Sequence, residues 1–280
     1  MTGTIATPPA AASFDPYADA PTASAVRFQY RLNPLAKIAG PAPAMVLLVF
    51  VRDAATPLAF LALAYALLLV GARLTPRLAL MLFVGIPAAV VVLGFGFSLW
   101  TDPSRIEAGS PVLSVGSWTL YSGMLQIGYA TALRLAAIIA LSLPAGVSTT
   151  GPDLVRSMVQ QLRVPYRIGY TALAAFRFVP RFGHELEIIR QAHRVRGAHG
   201  GRGPFAALAR WGGYVVPLLA GAIRHAERVA LAMDSRAFGA YPDRTERHLV
   251  PWRARDTVFV VLFWAVSAAL FWALFPWGLA

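Results

Sequence analysis

Two arginines occupy similar turns in the last third of the 280-residue chain. Arg196 and Arg236 each follow a segment whose apolar residues recur at helical spacing, so each is predicted to end a helix. Because arginine carries a rigid fork of donors, such a pair could dock into grooves of two copies of a partner, or of two related partners. Alternatively, each arginine only complements the negative end of its helix dipole. The neighbours that belong to these turns are Val195 and Gly197 in the first and Asp234, Ser235 and Ala237 in the second.

Metal and hydrolytic chemistry find no support in the sequence. His184, His193 and His199 lie near Glu185 and Glu187, but no two of the histidines are spaced to share a helix face. There is no cysteine, which excludes disulfides and thiolate metal sites. No Ser-His-Asp or paired-carboxylate arrangement stands out, and the glycine-rich run lacks the Gly-Lys-Ser/Thr of a phosphate loop. We therefore predict no metal, no cofactor and no hydrolytic site in this chain.

A charge also interrupts one apolar run. Arg134 lies within the stretch Tyr-Ala-Thr-Ala-Leu-Arg-Leu-Ala-Ala-Ile-Ile. An ionisable residue inside a membrane span is costly and indicates function by default, so we expect Arg134 to face another helix or a partner. The alternative is that its long side chain reaches the membrane surface.

The elements that position these residues are membrane helices, as the composition indicates. The chain is 57% hydrophobic and 14% charged, with mean hydropathy +0.58, whereas soluble domains are about 45–50% apolar and about 25% charged. The net charge of +12 comes almost entirely from arginine. Basic proteins often bind nucleic acid, but the long apolar runs argue against a soluble nucleic-acid binder.

Five apolar runs are candidates for membrane spans, which need about 17–25 residues. The first is short and contains two prolines, so it is predicted to be a tilted or partial span. Residues 1–26 are rich in Ala, Pro, Ser and Thr, which is typical of a disordered tail and not of a signal peptide. The runs cover residues 37–51, 54–72, 77–100, Trp118–Leu143 and Asp256–Phe275.

The arginine distribution predicts the orientation. Basic residues precede the first run, separate the second from the third and fill the segment 144–255, whereas the loops on the other side have little net positive charge. The positive-inside rule then places the N-terminus in the cytoplasm and the C-terminus outside.

The segment 144–255 is predicted to form two or three long amphipathic helices on the cytoplasmic side. Its first long helix carries an apolar stripe from Ala172 onwards, with Arg177 on the other face and a kink expected at Pro180. The glycine-rich stretch Gly197–Pro204 separates it from the second, for which Gly239 is the expected cap. The full prediction is an all-α polytopic membrane protein with a tail (1–30), four spans (31–143), cytoplasmic amphipathic helices that carry the two arginine turns (144–255) and a last span (256–280).

Several of these stretches together resemble one family. The chain is similar to the transmembrane T component of energy-coupling factor (ECF) transporters, relatives of ABC transporters that import vitamins or metal ions. Both arginine turns are similar to the family's twin Ala-Arg-Gly coupling motifs, with departures at Val195, Ser235 and Ala237. The resemblance covers about residues 31–275. The further stretches that carry it are Asn33–Lys37, Leu133–Arg134, Ser148–Leu154 and Phe176–Pro180.

The resemblance implies a non-catalytic coupling subunit in a bacterial inner membrane. Such a subunit binds two cytoplasmic ABC-type ATPases through Arg196 and Arg236, with Asp234 orienting the second arginine. It also binds a small membrane S component that captures the substrate, with contacts expected from Arg134, Arg177 and Pro180. The apolar stripes of the two helices would pack on each other and on the S component. The form of the second turn suggests uptake of a thiamine precursor, with cobalt, biotin and a shared T component left open.

Two rival functions stay open from the sequence. One is a membrane enzyme whose cytoplasmic arginines hold a phosphorylated or lipid substrate, which predicts turnover by the isolated chain. The other is a membrane scaffold whose basic amphipathic helices lie on an anionic surface, which predicts tight binding to liposomes.

Overall fold

The computed structural model describes residues 27–73, 75–102, 110–115, 118–197, 203–242 and 245–274, and these are mostly helical. The helices are α1 (Phe28–Arg31), α2 (Pro34–Ala39), α3 (Pro41–Phe50), α4 (Ala55–Gly71), α5 (Pro76–Leu80), α6 (Ile86–Trp100), α7 (Ser122–Ser148), α8 (Gly151–Gln161), α9 (Tyr166–Val195), α10 (Pro204–Asp234) and α11 (Ala254–Leu274). A π-helical turn, Met81–Gly85, joins α5 to α6, and two strands, β1 (Pro111–Val115) and β2 (Trp118–Tyr121), precede α7.

The described residues form two compact units. One, the membrane bundle, comprises the described residues up to 162 together with those from 249 onwards. The other, the helix pair, comprises the described residues of 163–248. The membrane bundle holds the apolar helices, and the helix pair holds both arginine turns.

Three helical segments are long and apolar enough to cross a membrane, namely Pro76–Trp100, Ser122–Ser148 and Ala254–Leu274. They correspond to the third, fourth and fifth predicted runs. The first and second runs form shorter apolar helices, Pro34–Phe50 and Ala55–Gly71. The described part of the chain is thus that of an all-α membrane protein, with three helices long and apolar enough to span a membrane.

The fourth span begins later and ends later than the sequence indicated. Residues 118–121, expected in the span, form β2 instead, which pairs antiparallel with β1 so that Leu113 lies opposite Leu120. Aromatic and β-branched residues in this stretch suit a strand as well as a helix. The helix then continues past Leu143 to Ser148, with Pro144 inside it.

The core of the membrane bundle forms around α7. Side chains from α3, α4 and α7 are fully buried there, and Phe60 packs on Phe271 of α11 with ring centroids 4.9 Å apart. α6 and α7 lie so close together at Gly128 that a side chain on this residue would collide with the Ser98 hydroxyl and the Gly94 carbonyl. Small residues at such crossings let membrane helices pack backbone to backbone.

In the helix pair, α9 and α10 run antiparallel. Phe178 stacks on His225 with centroids 4.3 Å apart, and nearer the end of α9 His193 meets Tyr214 at 5.3 Å. Residues later in α9 therefore contact residues earlier in α10, as expected for antiparallel helices. α9 continues through Pro180 as a single helix of 30 residues.

Part of each apolar stripe stays exposed in the helix pair. Val179 of α9 is 61% exposed and Leu219 of α10 is 58% exposed. Phe182 of the first stripe is half-buried and packs on Phe178 of its own helix, and Phe178 stacks on His225 of α10. The exposed members of the stripes are apolar surface in the described structure.

Candidate functional site

The first arginine turn closes α9. The Arg196 backbone N–H donates to the Ala192 carbonyl at 3.1 Å, and the Gly197 N–H donates to the Arg194 carbonyl at 3.2 Å. Gly197 has a φ of +70°, which favours glycine. Arg196 is therefore the last residue before the chain turns into the left-handed region.

The second arginine turn closes α10 with a Schellman motif. The Phe238 N–H donates to the Met233 carbonyl at 3.0 Å, and the Ala237 N–H donates to the Asp234 carbonyl at 2.9 Å. The left-handed residue is Ala237, with a φ of +55°. The expected cap, Gly239, also has a positive φ of +89°, but it lies two residues later. The cap prediction was wrong because a non-glycine residue occupies the position that glycine usually fills.

The two turns therefore present their arginines in the same way. Arg196 precedes left-handed Gly197, and Arg236 precedes left-handed Ala237. The positive φ at both positions explains why glycine suits the residue that follows each arginine. An alanine there costs roughly 1–2 kcal/mol relative to a right-handed conformation.

Both arginines and their flanking residues are exposed. Val195, the main departure from the family motif, is 89% exposed, so it disturbs no packing within the described chain. Ser235 is also exposed, and its hydroxyl donates to the Ala232 carbonyl at 3.0 Å. In the described part of the chain no ion pair joins Asp234 to Arg236, and Asp234 contributes to the turn through its backbone carbonyl.

The start of α9 holds the second turn in place. The Arg167 guanidinium donates from Nη2 to the Gly239 carbonyl at 2.6 Å, and the Tyr166 hydroxyl donates to the Tyr241 carbonyl at 2.6 Å. The Phe238 ring lies edge-on to Tyr166, at 5.7 Å between centroids. The sequence pattern gave no signal for this contact, because its partners lie 72 and 75 residues apart.

The two arginine turns consequently lie at opposite ends of α9. Arg196 follows its carboxyl end, whereas the turn of Arg236 is bonded to its amino end. A helix of 30 residues is about 45 Å long at about 1.5 Å per residue.

The residues predicted to contact an S component are distributed over both units. Arg177 and Pro180 are exposed positions of α9 in the helix pair, whereas Arg134 belongs to α7 of the membrane bundle.

Arg134 lies in a partly buried polar environment within the membrane bundle. Its Nε atom is buried and has no hydrogen-bond partner among the described residues, and the same holds for Asp53 Oδ1 and Thr56 Oγ1. Asp53 is close enough for its charge to act on Arg134, and its Oδ2 accepts the Thr56 backbone N–H at 2.7 Å. Arg134 therefore has the Asp53 carboxylate close to its side chain.

The sequence did not reveal a second polar site, which includes Asn33 and Lys37. From the sequence, these residues contributed only to the family resemblance. Lys37 donates from Nζ to the Ser148 carbonyl at 2.8 Å, at the end of α7. Asp256, at the start of α11, accepts the Asn33 backbone N–H on Oδ1 at 2.7 Å. We call Asn33, Lys37, Ser148 and Asp256 the polar cluster. It links α2 to the ends of two spans.

No group of three metal-ligating side chains that could hold an ion occurs among residues the structure describes. His184 and His193 lie in α9, and His199 falls outside the described ranges. Burial lowers the pKa of the His225 imidazole, and the nearby Arg181 and Arg228 lower it further.

The family model of CbiQ, described as cobalt transport protein, matches residues 25–247, which include both arginine turns. The chain belongs to the CbiQ family. This CbiQ-family chain is thus a transmembrane T component of the ECF class and a membrane protein.

Curated relatives carry a consistent description. The energy-coupling factor transporter transmembrane protein of Bacillus selenitireducens is 28% identical over 255 residues, covering 86% of this chain and 91% of the relative. The protein of the same description from Thermotoga maritima is 33% identical over 137 residues, covering 46% of this chain and about half, 51%, of the relative.

A third relative is a putative ABC transporter ATP-binding protein of Bifidobacterium longum, 28% identical over 254 residues. The match covers 86% of this chain but only 32% of that protein. Together these relatives place the CbiQ-family chain in an ABC transporter system.

Proposed function

We propose that this chain couples two cytoplasmic ABC-type ATPases to a small membrane S component, one ATPase at Arg196 and one at Arg236. The observation that carries the proposal is the repetition of one arginine-bearing turn at opposite ends of α9. A lone cation at a helix end is explained by the dipole alone. Two exposed arginines in matched backbone geometry fit a pair of equivalent docking partners.

The spacing supports two partners and not one. A standard interface buries about 800 Å² per partner, which corresponds to a patch roughly 30 Å across. The two turns are separated by the length of α9, about 45 Å. Two copies of one ATPase can each take one turn without overlapping.

The helix pair is suited to carry a displacement between its turns. The Arg190 guanidinium lies 5.2 Å from the centre of the Trp211 ring, and Phe178 stacks on His225 nearer the middle of the pair. Packed helices move as rigid elements. Closure of the ATPases on ATP would then shift both helices together, and the S component would topple and release its substrate.

The exposed apolar stripes supply a surface for the S component. Large contiguous apolar surface on a protein usually marks a partner or lipid contact. Phe176 and Val179 of α9 and Leu219 and Ile223 of α10 are exposed apolar side chains that such a partner could cover. Arg177 and Pro180 lie beside it on α9, and Arg134 is assigned to the same partner from within the membrane.

The setting of this proposal is a bacterial inner membrane with the N-terminus in the cytoplasm, as the arginine-rich segments favour. The chain itself hydrolyses nothing, and ATP is bound by the ATPases. The transported substrate is a vitamin or a metal ion, with a thiamine precursor as the specific candidate.

The test is co-purification from gently solubilised native membranes with mass spectrometry. The wild-type chain should bring two ATPase copies and a small hydrophobic protein, whose bound ligand identifies the substrate. Arg196→Glu and Arg236→Glu should each lose one ATPase and abolish uptake, whereas Arg224→Glu, an exposed charge reversal within α10, should not. Intact complexes in both turn variants, or recovery of the chain without any ATPase, would favour the membrane scaffold.

A further inference from the structure

A pocket opens beside the polar cluster of the membrane bundle. Its cavity volume is about 270 Å³, close to the lower end of the roughly 300–1,000 Å³ of ligand sites. It is bordered by the start of α2, the end of α7 and the chain that leads into α11. Its charged lining residues are four cations and one acid, namely Arg31, Lys37, Arg253, Arg255 and Asp153.

The acid in this lining is already compensated. Asp153 Oδ1 accepts a hydrogen bond from the Arg156 guanidinium at 3.0 Å, and Oδ2 accepts one from the Thr150 hydroxyl at 2.7 Å. The pocket therefore presents an excess of positive charge.

Lys37 gives the pocket a buried cation with donor capacity to spare. The residue is 3% exposed, and its ammonium donates to the Ser148 carbonyl and, at 3.3 Å, to the Thr149 hydroxyl. A lysine ammonium has three N–H donors. Two of them have partners among the described residues. Because Lys37 lines the pocket, its third N–H donor can serve a ligand there.

The pocket lies at the ends of two of the long apolar helices. α7 ends at Ser148 and α11 begins at Ala254, and residues at both of these helix ends line the pocket. Trp252 is partly exposed beside it, and Tyr30 lines it. Aromatic residues of this kind are enriched at the level of the lipid headgroups.

We propose that this pocket binds the phosphate of an anionic phospholipid headgroup, held by Arg253, Arg255 and Lys37. Arginine forks match phosphate oxygens in pairs, and a buried ammonium supplies a point charge behind them. Basic pockets between membrane helices on the cytoplasmic side commonly take such headgroups. The proposal does not depend on which partners the arginine turns engage.

The test uses the full-length chain in mild detergent and native mass spectrometry with dioctanoyl-phosphatidylglycerol or dioctanoyl-phosphatidylcholine. The anionic lipid should stay bound in preference to the zwitterionic one. Arg253→Gln combined with Arg255→Gln should weaken its binding by about fivefold per arginine. The matched control, Arg73→Gln with Arg77→Gln, removes the same charge near another span and should leave binding unchanged. The Arg253 backbone N–H, not its side chain, bonds to Asp256, so the pocket variant should retain the wild-type melting temperature.

Three results would overturn the proposal. Equal weakening by the control pair would show general surface electrostatics. Equal binding of phosphatidylcholine would show that the pocket does not select lipids by the charge of their headgroup. Complete displacement by millimolar inorganic phosphate would show a site for free phosphate. If the double variant misfolds, Arg255→Gln alone must still lower the affinity for phosphatidylglycerol.

Discussion

Arg167, in the first turn of α9, donates a hydrogen bond to the carbonyl of Gly239, just beyond the end of α10. This bond anchors the turn of Arg236 to the opposite end of the helix pair from Arg196. The position of one proposed docking arginine thus depends on a guanidinium about seventy residues earlier in the chain.

Arg167→Ala should loosen the second turn without touching Arg236 itself. A charge-assisted hydrogen bond of this kind contributes about 1.5–3 kcal/mol. Amide exchange in residues 236–242 should therefore become faster, and ATPase recovery should fall toward one copy. Arg194→Ala, at the other end of α9, serves as the control and should leave exchange in that segment unchanged. Unaltered exchange in Arg167→Ala would contradict the anchoring role.

Ala237→Gly should stabilise the second turn. Relief of the left-handed strain should stabilise the folded turn by roughly 1–2 kcal/mol. The greater conformational freedom of glycine in the unfolded chain should offset about 0.4–1 kcal/mol of that gain. The Phe238 N–H should consequently exchange more slowly. Gly197→Ala should have the opposite effect on the first turn, by a similar amount. Equal exchange in wild type and Ala237→Gly would show that the turn carries no such strain.

Asp53 and Arg134 should be energetically coupled within the membrane bundle. Each has a buried polar atom without a hydrogen-bond partner in the described chain, so removing one charge leaves the other less compensated. Asp53→Asn and Arg134→Gln should each lower the free energy of unfolding in detergent by about 1–3 kcal/mol.

The double variant should lose less than the sum of the two singles, by about 0.5–3 kcal/mol. Strict additivity would place the two side chains in separate environments. Thr131→Val, which removes a hydroxyl bonded within the same helix, is the matched control for α7.

His225 should make the helix pair sensitive to acid. Its pKa is lowered in the folded chain, first by burial and then by Arg181 and Arg228, although Glu185 acts in the opposite direction. The unfolded chain therefore binds a proton more readily below about pH 6.5, the usual range of histidine. The contribution of neutral His225 is present above that pH and is lost as the pH falls toward the folded-state pKa.

Acidification should then raise amide exchange around Phe178 and His225. His225→Gln should remove this dependence, whereas His193→Gln should keep it. Persistence of the pH effect in His225→Gln would assign it to another group.

The sequence predicted some of these features because they are local. Helical periodicity placed Arg196 and Arg236 at helix ends, and the apolar runs marked the three long spans. The hairpin that replaces the start of the fourth run was missed because a short stretch of aromatic and branched residues suits either a strand or a helix. Ala237 was not predicted as the left-handed residue that ends α10, because glycine usually fills that position and Gly239 lies close by.

Other features depend on contacts distant in sequence. Asn33 and Asp256 are 223 residues apart, and Lys37 and Ser148 are 111 apart, so no local pattern could pair them. The motif Asn-Pro-Leu-Ala-Lys was visible as a family resemblance, but its physical role required the folded bundle. The exposure of Val179 on α9 and Leu219 on α10 could not be read from the sequence either, since the partner helix decides which residues of an amphipathic helix it covers.

Lys37 is the only lysine of the chain, and its ammonium is buried at the end of α7. Amine-reactive reagents will therefore find no accessible lysine side chain while the membrane bundle is closed. The same residue becomes a natural chemical reporter, because any acylation of Lys37 during ATP turnover would signal that α2 and α7 separate in the working transporter.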